Sequence, residues 1–179
     1  AVNFGMLYDM SPSRLVKDGI SRTKPEGRKF INTFFNHYPG VKCYHKGLKS
    51  GIDYRRLINK GRVEFRTPRS GRRRWMNRLE LMYRSGTTRM NVLYNTPIQG
   101  LAGDGMKQAM AELWNEIKDR QDIRPVTSVH DELVVGCPES IANEVAQTLR
   151  NAMIKGMQHY LKEVPIEVDS SISATWWGY

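Results

Sequence analysis

The segment Val129-His130-Asp131-Glu132-Leu133 sets an imidazole and two carboxylates side by side between apolar stretches. Pro125-Val126-Thr127-Ser128-Val129 and Leu133-Val134-Val135 read as two short strands that meet at His130-Asp131-Glu132. A tight turn there lifts Asp131 and Glu132 out of the sheet, where their oxygens can take a hard cation. Phosphoryl transfer uses such carboxylates to hold two metal ions about 3.5–4 Å apart, which stabilise the attacking and leaving oxygens. Aspartate is also a common turn residue in its own right. On this segment alone both readings stand.

The elements that must position this tip can be read from apolar spacing. Ile98, Leu101, Ala102, Met106, Ala109, Met110, Leu113 and Ile117 make a long amphipathic helix, entered after Asn95-Thr96-Pro97. A second helix starts near Pro138 and carries Ile141, Val145, Leu149 and Met153 on one stripe. Val164 to Val168 reads as a strand, and an aromatic tail ends in Trp176-Trp177-Gly178-Tyr179. Upstream, the chain opens as if inside a helix that ends near Tyr8-Asp9-Met10. Ser11 can then cap a new helix with Pro12 in its first turn. A further helix runs from about Pro25 through Phe30, Ile31, Phe34 and Phe35 and stops at His37-Tyr38-Pro39-Gly40. Between the two halves, Val63-Glu64-Phe65-Arg66-Thr67 alternates like a strand and Pro68-Arg69-Ser70-Gly71 reads as a turn. The result is a basic hairpin over about 61–75, with Arg72-Arg73-Arg74-Trp75 on its return side. Helices packed on an antiparallel sheet define an α+β fold class.

The charge narrows the partner. Lys and Arg number 28 against 18 Asp and Glu, a formal net charge of +10 over 179 residues. That balance favours a polyanion, with nucleic acid first and an anionic membrane surface second, although a basic protein without a specific ligand shows the same excess. Arg55, Arg56, Lys60, Arg62, Arg66, Arg69, Arg72, Arg73, Arg74 and Arg78 concentrate the charge around the hairpin. Whether Arg66 to Arg74 face phosphates or only solvent stays open. A 40% hydrophobic content suits a folded globule. Cys43 and Cys137 lie far apart without ligand spacing, as reduced thiols in a cytoplasmic setting would. No apolar run reaches the ~18–20 residues that span a bilayer, so no membrane-spanning segment is expected, and nucleic acid is taken over a membrane as the partner.

Several segments together carry a resemblance. Asn3-Phe4-Gly5-Met6-Leu7-Tyr8 resembles the later half of the fingers helix motif Lys-x-x-Asn-Phe-Gly-x-x-Tyr-Gly of family A DNA polymerases. Asn95-Thr96-Pro97-Ile98-Gln99-Gly100 resembles the Asn-x-Pro-x-Gln-Gly segment, with Asp104 and Lys107 matching beyond it. Val129 to Leu133 resembles the Val-His-Asp-Glu-Leu hairpin of the palm. Tyr38-Pro39-Gly40-Val41 and Gly71-Arg72-Arg73-Arg74 have weaker counterparts in the fingers, so the similarity covers nearly the whole chain in the right order.

The resemblance implies template-directed DNA synthesis from dNTPs on a primer-template, with residues 1–90 as a fingers portion and 91–179 as the C-terminal palm. Asp131 matches the aspartate that binds both catalytic Mg2+ ions, and Glu132 the supporting carboxylate beside it. His130 would lie against the primer end. Asn95 and Gln99 would hydrogen-bond the duplex at minor-groove acceptors, which look alike on all base pairs; as residues alone they read equally as a helix cap and an exposed amide. Tyr8 would stack by the templating position and Phe4 would contact the incoming nucleotide's sugar, although such a pair also serves as core aromatics. Arg66, Arg72, Arg73 and Arg74 would meet DNA phosphates.

The sequence departs from the family in instructive ways. The first palm aspartate, in an Asp-Tyr-Ser-x-Ile-Glu-Leu-Arg strand, and the triphosphate-gripping arginine and lysine have no counterpart here. Asp53-Tyr54 lies after the fingers motif and in the wrong context. The expectation is therefore a C-terminal fragment or split subunit that is catalytically incomplete alone and works with an upstream half in a bacterial, phage-infected or organellar setting. A non-catalytic primer-template binding module is the alternative. Asp9 replaces the usual glycine after Tyr8, and Arg89 is a stand-in for a duplex contact at Asn91. Gly103 and Gly105 should each weaken their helix by roughly 0.5–1 kcal/mol relative to alanine.

Overall fold

Four of the helices begin where a side-chain oxygen or a proline starts them. The computed structural model describes residues 2–52, 57, 59–67 and 69–176. Ala1, Asp53 to Arg56, Ile58, Pro68, Trp177-Gly178-Tyr179 and the side chains of Val2 and Phe4 lie outside the described residues. The chain divides into two compact units, Ala1–Thr67 with Arg72–Ile98, and Pro68–Gly71 with Gln99–Tyr179.

In the first unit, α1 (Val2–Leu7) ends as expected before Asp9, which takes a left-handed φ of 67°. Glycine adopts that conformation freely and aspartate tolerates it better than most residues, so the exchange leaves the helix end intact. Ser11 accepts from the Arg14 amide at 3.2 Å and Pro12 opens α2 (Pro12–Lys17). Thr23 caps α3 (Lys24–His37) through the Glu26 amide at 3.3 Å. Pro39 ends α3, and it also opens α4 (Pro39–Ser50), a helix the sequence reading did not foresee. A proline at the first helical position loses no hydrogen bond, because that amide would be unpaired anyway.

The basic hairpin forms as expected. β1 (Arg62–Arg66) pairs antiparallel with β2 (Arg73–Asn77), from Arg62 opposite Asn77 to Arg66 opposite Arg73. Its inner face places Val63 and Met76 in a core with Leu57 and Leu81. Asn77 and Glu80 form a reciprocal capping box that starts α5 (Arg78–Leu81).

The long helix α6 (Met90–Ile117) starts seven residues before Pro97, not after it, and Pro97 lies inside it. Proline inside a helix costs about 3 kcal/mol and removes one ladder bond. Burial of Leu93 and Tyr94, at 0% and 1% exposure, holds this turn helical in spite of that cost. The division between the units falls one residue past this proline.

In the second unit, the rest of α6 packs against α7 (Ala142–Gln158), which follows a short 3-10 turn at Glu139–Ile141. Leu113, Ile117, Ile123, Val145 and Ala152 form the core, with Val135, Cys137, Ile141 and Leu149 against it. Gly105 is not merely a weak point in α6, since a Cβ there would run into the Met157 side chain of α7. β3 (Arg124–Val129) and β4 (Glu132–Gly136) pair antiparallel, with a register shift between Pro125 and Thr127. The α+β class holds, but as two separate two-stranded sheets. The strand expected over 164–168 is absent. Among the described residues β3 and β4 pair only with each other, and this stretch adds no strand to either open edge.

Candidate nucleic-acid and metal-binding site

Val129 and Glu132 close the β3–β4 hairpin as partners, leaving His130 and Asp131 as its turn. His130 takes a left-handed φ of 53°, a conformation in which histidine is enriched several-fold. Glu132 therefore sits on the first residue of β4 and not in the turn itself. His130 and Asp131 are exposed, while Glu132 is half-buried and its Oε1 accepts from Trp176 Nε1 at 3.1 Å. The structure thus brings all three residues to one tip.

Two adjacent carboxylates are hard oxygen donors of the kind that Mg2+ takes. They are also few. Among the described residues, no three His, Cys, Asp or Glu side chains come together as a metal-ligating group. The tip fits part of a cation site, with further ligands needed from elsewhere.

Asn95 lies on α6 in the first unit, half-buried, and its Oδ1 is buried without a hydrogen-bond partner. A buried acceptor left unpaired costs about 1–3 kcal/mol, which a donor on a bound ligand would remove. Next to it, Thr96 Oγ1 donates to the Val92 carbonyl at 2.8 Å and accepts from Arg74 Nη1 at 3.3 Å. Gln99, in the second unit, is exposed. Asp104 is buried on the same helix and Lys107 is exposed.

Tyr8 is half-buried just past the end of α1. It adds to the effect of burial on Tyr44, whose hydroxyl is pushed up to about 12 chiefly by desolvation. The Phe4 side chain lies outside the described residues.

The arginines expected to meet phosphates divide by their partners. Arg66 pairs with Glu64 at 2.8 Å, and Arg74 bridges Thr96 and Glu80. Arg72 and Arg73 are exposed on the return side of the hairpin. Arg69, of the turn, belongs to the second unit, where it donates to the Tyr160 carbonyl and to Glu163. Arg62 lies over the Trp75 ring at 4.9 Å.

Sequence reading missed the cluster around His45. Tyr44 donates to the Tyr94 carbonyl at 2.9 Å, and the His45 ring stacks on the Tyr94 ring at 3.7 Å and 3°. The available signal was Val41, Tyr44, His45 and Leu48, spaced as one helix face after a proline that can start a helix.

The carboxylates at the β3–β4 tip and, separately, the arginines of the β1–β2 hairpin are groups of the kind that serve nucleic-acid chemistry. A family model described as DNA polymerase family A matches residues 1–178, and the chain belongs to that family. It is 33% identical over 177 residues to a thermostable DNA polymerase I of Thermus thermophilus, covering 98% of this chain and 20% of the relative. A DNA polymerase I of Deinococcus radiodurans is 34% identical over 176 residues, covering 98% and 17% respectively. Among solved structures it is similar to the polymerase domain of Pol1 from M. smegmatis in complex with DNA primer-template and dNTP. That likeness has a TM-score of 0.68 and 26% identity, covering 87% of this chain and 26% of the other. The chain thus spans about a fifth of the length of the curated relatives it matches. No helix among the described residues is long and apolar enough to cross a membrane.

Proposed function

We propose that this chain contributes the fingers and C-terminal palm side of a template-directed DNA polymerase acting on primer-template DNA and dNTPs. The observation that carries this reading is the hairpin tip. In a member of family A, a two-residue turn between paired strands presents Asp131 beside Glu132. Asp131 and Glu132 would hold Mg2+, which when bound stabilises the charge developing on the transferred phosphoryl group. His130 would present an imidazole to the primer end, Asn95 and Gln99 would hold the duplex, and Phe4 and Tyr8 would flank the incoming nucleotide and the templating base. Arg72 and Arg73 would meet phosphates, giving sequence-independent, salt-sensitive affinity.

The remaining metal ligand and the cations that grip the triphosphate would come from residues outside these 179. The small donor set at the tip and the short share of the relatives' length support that division. The bacterial DNA polymerase I relatives favour the cytoplasm of a bacterial or phage-infected cell, with an organelle as the alternative. Co-expression with a polypeptide carrying the upstream palm strand should give Mg2+-dependent primer extension. A stable complex without extension would overturn the proposal.

The charge of +10 favours a second reading, a primer-template binding module without chemistry. Under that reading the chain binds duplex with a steep salt dependence and Asp131→Ala leaves that binding unchanged.

A further inference from the structure

His45 is a buried histidine with partners on three other elements of the first unit. It is 8% exposed. Its Nε2 lies 3.0 Å from the Leu7 carbonyl, the last residue of α1. A carbonyl only accepts, so Nε2 carries the proton and donates. One ring face stacks on Tyr94 of α6, and Phe35 of α3 meets the ring edge-on at 5.5 Å and 72°. The neighbouring residue Tyr44 donates its hydroxyl to the Tyr94 carbonyl. Two consecutive residues of α4 therefore join the end of α1 to the turn of α6 before Pro97. Tyr8 follows Leu7 in sequence, and Asn95 follows Tyr94.

We propose that His45 is a positioning residue that ties the end of α1, and so Tyr8, to the helix turn presenting Asn95. This rests on the reading that Tyr8 and Asn95 contact the nucleic acid. An aliphatic side chain could fill the space between Phe35 and Tyr94 equally well. What it could not do is donate to Leu7, whose carbonyl is among the last of α1 and has no further turn of helix to pair with. The stacked ring adds direction, because a flat ring against Tyr94 fixes where Nε2 points. Burial lowers the proton affinity of the ring, which keeps it in the neutral form with one N–H.

The test compares His45→Leu, which keeps bulk and loses the donor, with His45→Gln, which keeps an N–H, in the full chain. Two readouts are needed. The first is amide exchange at Met10, whose N–H bonds to the Gly5 carbonyl of α1 at 2.9 Å. The second is affinity for a primer-template duplex, with Asn95→Ala as the reference. His45→Leu should speed exchange at Met10 and weaken duplex binding, each by about fivefold, the factor set by one ordinary hydrogen bond. His45→Gln should hold both within about twofold, since its amide still donates. Unchanged exchange in His45→Leu overturns the proposal, as does equal loss in both variants, which would make packing the whole role. Faster exchange with wild-type affinity, where Asn95→Ala lowers affinity, also overturns it. If the unaltered chain binds no duplex, the functional reading of Tyr8 and Asn95 fails, and exchange at Met10 decides the tethering alone.

Discussion

Gly156 of α7 lies so close to Ala109 of α6 that a Cβ on it would sit 2.7 Å from the Ala109 Cβ and nearer still to its backbone. The helices of the second unit pack through this contact. Gly156→Ala gains helix propensity of about 1 kcal/mol but forces two backbones apart. It should lower unfolding stability by about 1–3 kcal/mol, the usual cost of overpacking, as read by chemical denaturation. Gly103→Ala is the counterpart, since a Cβ there meets nothing within 4 Å. It should raise stability by about 0.5–1 kcal/mol. If the two changes shift the midpoint in the same direction, the packing account is wrong.

Acid should weaken the first unit in two separate windows. Burial lowers the His45 pKa below its ordinary 6.5, with Lys49 acting the same way and the Leu7 bond and Asp9 opposing. The unfolded chain therefore takes up a proton at His45 before the folded chain does, and stability falls as pH drops from about 6.5 toward the folded value. Above that range the contribution is complete. Glu80 is held below its ordinary 4.5 by the Asn77 amide first, and also by Arg74. The folded chain keeps this carboxylate charged after the unfolded chain has lost its charge, so that contribution is present above 4.5 and disappears below it. Denaturation midpoints across pH should lose the upper slope in His45→Leu and the lower one in Glu80→Gln.

Asp131→Ala should remove Mg2+-dependent primer extension from the complex with an upstream polymerase half while leaving the hairpin folded. The turn side chain is exposed and packs in no core. Loss by several orders of magnitude is expected where a metal ligand is removed, and extension within about twofold of the parent would exclude Asp131 from the chemistry.

Arg73 and Arg74, adjacent on β2, should behave differently. Arg73→Ala should reduce the slope of log affinity against log salt by about one if it meets a phosphate, without moving thermal stability. Arg74→Ala breaks the links to Thr96 and Glu80 and should lower the unfolding midpoint as well. Identical effects on both quantities would mean that the hairpin arginines share one role.

What could be read directly from the residues was the local part. Ser11-Pro12 announces a capped helix, and alternation on each side of Arg69 to Gly71 announces a hairpin, because turn chemistry and period act over a few residues. The errors came where distant partners decide. Pro39 reads as a stop and is also a start, and Pro97 reads as a helix entrance until burial of Leu93 and Tyr94 holds the preceding turn. The stretch 164–168 has strand composition but pairs with no strand among the described residues. At the site, His130, Asp131 and Glu132 were legible as one turn because they are consecutive. The His45 cluster was not, since Tyr44 and Tyr94 are fifty positions apart in sequence.

The indole N–H of Trp176 occupies one oxygen of Glu132 and thereby ties the end of the described chain to the hairpin tip across 44 positions. Trp176 is one of four tryptophans, and replacing the other three would leave its indole as an optical probe at the acidic tip. If Glu132 helps to hold a cation as proposed, that cation would compete with this tether for the carboxylate, and the tail would loosen as the tip fills.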